Sequence, residues 1–70
     1  MGAQWHGWIM VLNGEKRRGE LEAMGIELGE WDPALQIYNR CLLSDQAFAR
    51  LLKRRGRYLW KLSRIKRSSK

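Results

Sequence analysis

Any chemistry in this chain would have to start from Cys41 and His6, the one thiol and the one imidazole among its 70 residues. Nucleophilic catalysis needs a nucleophile, a base within hydrogen-bond reach and a third group that orients the base. His6 falls in a short aromatic-rich segment near the N-terminus. Cys41 falls on the apolar stripe of an expected helix, where cysteine behaves as a small core residue. One cysteine and one histidine fall short of the four ligands of structural zinc, so no metal is expected. Glu15, Glu20, Glu22, Glu27 and Glu30 could in principle pair as carboxylates. They read instead as solvated positions, with Glu15 and Glu20 flanking the Lys16-Arg17-Arg18 patch. No glycine-rich phosphate loop follows a strand. The expectation is a protein that is not an enzyme, with no cofactor and no small-molecule substrate.

The cations are more informative. Residues 1–49 hold four basic side chains against seven acids, a net of −3, whereas residues 50–70 hold ten basic side chains and no acid, and together these give +7. So steep an asymmetry is the electrostatic footprint of a polyanionic partner. The expected nucleic-acid contacts are Arg50, Lys53, Arg54, Arg55, Arg57, Lys61, Arg64, Lys66 and Arg67. Arg50 and Arg54 lie one helical turn apart, a like-charged pair that costs stability unless a partner neutralises it. Tyr58 and Trp60 sit among these cations, as suits stacking on unpaired bases. Tyr, Trp and Arg equally dominate protein–protein hot spots, so Trp31, Tyr58 and Trp60 are the expected contacts to a protein partner.

The elements that must position these residues follow from pattern. Trp5 to Leu12 is rich in β-favouring residues and stops at Asn13-Gly14, which predicts a short strand and a turn. Residues 15–24 predict a helix closed at Gly25, with Ile26 covering Leu21 in a Schellman ending. Asp32 as N-cap and Pro33 at the first helical position predict a second helix. Leu35, Ile37, Tyr38, Cys41 and Leu42 would form its apolar stripe. Ser44 predicts a third helix, with Leu43 and Phe48 in the two positions of a hydrophobic staple and Gly56 as its stop. Residues 57–66 fit either a helix, with Tyr58, Leu62 and Ile65 on one face, or a strand that pairs with the N-terminal one. The expected fold is a small α-dominated α+β domain, residues 1–67, with about three helices and a short N-terminal β element. Residues 68–70 are expected to be a disordered basic tail. Cys41 has no partner for a disulfide, and the longest apolar run, Trp8 to Leu12, is far below the roughly 20 residues that span a bilayer. A cytoplasmic setting is the expectation, the host cytoplasm if the chain is phage-encoded.

Residues 44–66 resemble a helix-turn-helix. Phe48, Ala49 and Leu52 would lie in the first helix, Lys53 to Gly56 in the turn, and Leu59 and Leu62 on a recognition helix in the major groove. The sequence departs from that class in the turn, where its glycine aligns with Lys53 and the following apolar residue with Arg54. In length, near-neutral body and basic run Arg50–Lys70, the chain also resembles the small phage-encoded regulators of bacterial RNA polymerase that displace the sigma factor and cause antitermination. That resemblance implies a transcription regulator whose body docks on the polymerase and whose basic segment lies near DNA or RNA. The alternatives are direct DNA binding by the helix-turn-helix, and a basic amphipathic segment, Leu51 to Ile65, of the membrane-surface or calmodulin-target kind.

Overall fold

A computed structural model of the chain describes residues 4–65. In chain order the elements are β1 (Gln4–Met10), a 3₁₀ turn (Gly14–Arg17) running into α1 (Arg18–Ala23), β2 (Trp31–Asp32), β3 (Ile37–Ser44), α2 (Asp45–Leu52) and β4 (Leu59–Ile65). The strands form one antiparallel sheet in the order β2-β3-β1-β4. The fold is therefore strand-dominated with two short helices, and the expected α-dominated domain of about three helices is corrected.

The correction centres on residues 32–44. Asp32 does accept hydrogen bonds from free backbone amides, those of Ala34 (3.0 Å) and Leu35 (3.2 Å), as an N-cap would. The bonds close a turn instead of opening a helix, because Gln36 takes the left-handed conformation (φ 59°) and sends the chain into β3. The apolar spacing misleads for a separate reason. Asn39 and Arg40 both oppose Trp8 in a β-bulge, and Arg40 is itself left-handed (φ 56°). The bulge puts Tyr38 and Cys41, three residues apart, on the same face of the strand, which imitates a helical i, i+3 pair.

The two helices read from local signals form, but the first opens as a 3₁₀ turn and α2 ends at Leu52, short of the expected stop at Gly56. The end of α1 is a Schellman motif: Gly25 (φ 92°) donates to the Glu22 carbonyl at 2.9 Å and Ile26 to the Leu21 carbonyl at 3.4 Å. Ser44 caps α2, its hydroxyl accepting from the Ala47 amide at 3.2 Å. Residues 59–65, which the sequence left open between helix and strand, form β4 and pair with β1. Gly7 permits that pairing, since a Cβ there would collide with the Lys61 carbonyl. The recognition helix of the helix-turn-helix pattern is thus a strand. The amphipathic segment Leu51 to Ile65 is likewise a helix end, a turn and a strand.

Both helices cover one face of the sheet. Strand alternation brings Ile9, Tyr38, Cys41 and Leu43 to that face, where they meet Leu21 of α1, Ala47 and Leu51 of α2, and Tyr58. Val11, Leu21, Tyr38, Cys41 and Leu51 are wholly buried. Trp5 stacks on Phe48 with centroids 4.1 Å apart, and Phe48 meets Trp60 edge-on at 6.3 Å, which closes the core at the β4 side. No helix among the described residues is long and apolar enough to cross a membrane.

Candidate nucleic-acid interface

The basic side chains are positioned by α2, the turn after it and β4. Arg50 stands on α2 at the edge of the face that Ala47 and Leu51 turn inward, and Lys53 and Arg54 follow in the turn that ends the helix, all three exposed. A tight turn then carries Arg55 and Arg57 outward, held by bonds from the Arg54 amide to the Leu51 carbonyl (2.9 Å) and from the Arg57 amide to the Arg54 carbonyl (2.9 Å). Lys61 and Arg64 continue along β4, the free edge of the sheet. All seven are exposed. The expected contacts Lys66 and Arg67 lie outside the described residues.

Three of these cations surround an open groove of about 580 Å³ between the ends of α1 and α2, lined by Glu20, Ala23, Met24, Arg50, Lys53 and Arg54. The Arg50 guanidinium donates to the Met24 carbonyl at 3.1 Å, satisfying an acceptor left free at the end of α1. Arg54 reaches the Met24 sulfur at 3.5 Å. The ridge is opposed by little acid. Glu20 lies 3.8 Å from Arg57, and Asp45 lies 3.9 Å from Arg64, both long for an ion pair. Lys53, Arg55 and Lys61 form no ion pair among the described residues.

Glu20 is the acid that matters most to the groove. It accepts from the Tyr58 hydroxyl and from Arg17 at 3.2 Å. The Tyr58 bond, helped by the Arg17 and Arg57 charges, holds its carboxyl below the ordinary value of 4.5 against a smaller opposing effect of burial. The same contact acts in reverse on Tyr58, whose phenol is raised first by burial and then by Glu20.

The aromatic residues expected to meet a protein partner are used inside the molecule. Tyr58 is 3% exposed and belongs to the core. Trp31 packs on Tyr38 with centroids 4.7 Å apart, and half-buried Trp60 lies against Phe48. The tryptophan on the uncovered face is Trp8, directly opposite Lys61. Its position was legible in principle: Trp5 and Trp8 are three apart in a strand, so they must point to opposite faces. Cys41 is buried, its thiol donating to the Tyr38 carbonyl at 3.2 Å, and burial pushes it up to about 11. His6 is exposed on the other face from Cys41, because it pairs with Leu42 rather than with the core residue beside it. The fold thus does not bring the two candidate catalytic side chains together. Among the described residues no group of three or more His, Cys, Asp or Glu could hold a metal ion.

No protein-family model matches the chain, and neither a curated protein nor a solved structure matches it.

Proposed function

We propose that this chain is a non-enzymatic nucleic-acid-binding regulator that holds a phosphate backbone along the ridge formed by α2, the following turn and β4. The observation that carries this reading is the concentration of cations there: Arg50, Lys53, Arg54, Arg55 and Arg57 lie within eight residues, all exposed, facing one partly exposed carboxylate. Guanidinium and ammonium groups so arranged suit phosphate oxygens, and the reading requires affinity to depend on salt through released counterions. A protein of the transcription machinery, RNA polymerase foremost, extends the proposal as the partner on which the body docks, and co-purification from cells tests that extension.

The direct test is salt dependence. With about six phosphates neutralised, the logarithm of affinity falls against the logarithm of salt with a slope near −5 on duplex DNA. Lys53→Ala with Arg55→Ala removes two cations that have no internal ion-pair partner, so the fold is retained and the slope becomes shallower by about 2. A wild-type slope near zero overturns the reading.

A further inference from the structure

The sheet has a second face, and none of the described elements covers it. Alternation along β1 and β4 puts His6, Trp8 and Met10 there with Leu59, Lys61 and Ser63, while β3 adds Ile37 and Leu42. Ile37 is 7% exposed yet stands apart from the core cluster, because it lies on this side of the sheet. At the turn end, Leu12, Leu35 and Leu59 are 72%, 57% and 63% exposed, and with Met10, Gln36 and Arg57 they border a mostly apolar hollow of about 280 Å³. Single exposed leucines need no explanation, but a contiguous apolar surface on a sheet marks a contact.

The acids of this face, Glu27, Glu30 and Asp32, lie on the β2 side, Arg40 stands next to them in the β3 bulge, and the β4 side carries Lys61, with no acid on either β1 or β4. Register places the two signs level. The Glu30 carbonyl accepts from Asn39 at 2.7 Å, Asn39 belongs to the bulge opposite Trp8, and Trp8 pairs with Lys61. One row across the sheet therefore runs from Glu30 through the bulge residues Asn39 and Arg40 and through Trp8 to Lys61.

We infer that the uncovered face docks a second copy of this chain, sheet on sheet, about a two-fold axis parallel to the strands. Such a rotation reverses the order of strands and keeps each residue at its level. It lays β4 of one copy over the β2 side of its partner, so that each Lys61 meets the partner's Glu30, while Met10 lies over the partner's Ile37. A two-fold axis perpendicular to the strands would lay β4 on β4 and bring lysine to lysine, so charge selects the first orientation. Four strands about 4.8 Å apart and seven residues of about 3.3 Å each give roughly 400 Å² per copy. The total of roughly 800 Å² is below the roughly 1,200–2,000 Å² of stable specific interfaces, so the expected dimer is a weak, transient one.

Sedimentation equilibrium of the full chain, without nucleic acid, tests this. The expected result is a monomer at low concentration and a dimer at high concentration. Leu59→Glu and Leu35→Glu alter exposed positions and should give monomers with unchanged circular dichroism. Lys61→Glu and Glu30→Lys should each weaken association about tenfold, since either creates two like-charged contacts per dimer, and the double variant should recover it. Wild type that remains monomeric throughout, or a dimer whose affinity the double variant fails to recover, overturns the inference. So does a chain in which Leu59→Glu costs oligonucleotide affinity while the protein is monomeric, because the face would then be a nucleic-acid surface. The inference does not depend on the ridge binding phosphate: Lys61 belongs to both surfaces, but the dimer mass is read without nucleic acid and the salt slope with it.

Discussion

Glu20 connects three parts of the molecule, accepting from Tyr58 after the basic turn and from Arg17 before α1, and facing Arg57. Its depressed pKa fixes the direction of a pH effect. The stabilisation is fully present above the unfolded value near 4.5 and is lost as pH falls through the lower folded value. Glu20→Gln keeps an acceptor for Tyr58 but loses the charge, so urea unfolding at neutral pH should show a loss of about 1 kcal/mol. The variant's acid-side stability profile should also be flatter than that of wild type. Because the same carboxylate is the acid lining the groove, the variant should bind nucleic acid more tightly at low salt while being less stable. Cys41 offers an independent reading of the core. With its thiol pushed up to about 11 by burial and bonded to the Tyr38 carbonyl, it should react with a thiol reagent only through unfolding. Labelling at neutral pH should be slow and should accelerate across the urea transition; prompt labelling in buffer would mean that β3 is not packed as described.

At the scale of elements, the β1–β4 pair decides whether the ridge exists, since it turns the basic segment back along the sheet. Gly7→Ala directs a methyl group at the Lys61 carbonyl and puts a side chain on a backbone at φ 154°, where L-residues are strained. The expected cost is about 3 kcal/mol, a large part of the total stability of a chain this small. Its thermal transition should drop sharply or disappear, whereas Gly19→Ala, which meets open space, should be tolerated. This pairing also shows what the sequence could and could not reveal. Elements fixed by local signals were legible: the Schellman end at Gly25-Ile26, the Ser44 cap of α2 and the strand before Asn13-Gly14 all follow from neighbours within a turn. Residues 32–44 were not, because the same Asp32 bonds serve a helix start or a turn, and the bulge at Asn39–Arg40 converts a period of two into a spacing of three. Strand β4 was legible only as an alternative, since its pairing partner lies about fifty or more residues away in the chain. Of the candidate site, the cations were evident from composition. The role of Tyr58 was not, because its burial is set by the distant core residues against which it packs.

Across the whole molecule, charge sets two opposing dependences on salt. The chain carries +7, with ten cations in its last twenty-one residues, and the folded free protein holds many of them close together on the ridge. The four ion pairs among the described residues join side chains that are 32–65% exposed. Pairs of that kind contribute at most about 1 kcal/mol each. Repulsion along the ridge should therefore exceed attraction, and screening should relieve it as the Debye length shortens from about 10 Å at 0.1 M toward 3 Å at 1 M. The melting temperature of the free protein should rise with added salt, by about 4–8 °C for each kcal/mol relieved in a domain of this size. The complex with nucleic acid should respond the other way, because each phosphate contact released costs affinity as counterions accumulate. Melting curves with and without an oligonucleotide should accordingly converge as salt increases, the bound curve descending toward a free curve that climbs. A free protein that melts lower in salt would show that Glu20 and Asp45 hold the ridge more strongly than its cations push it apart. The ridge would then be internally compensated, with no need of an external polyanion.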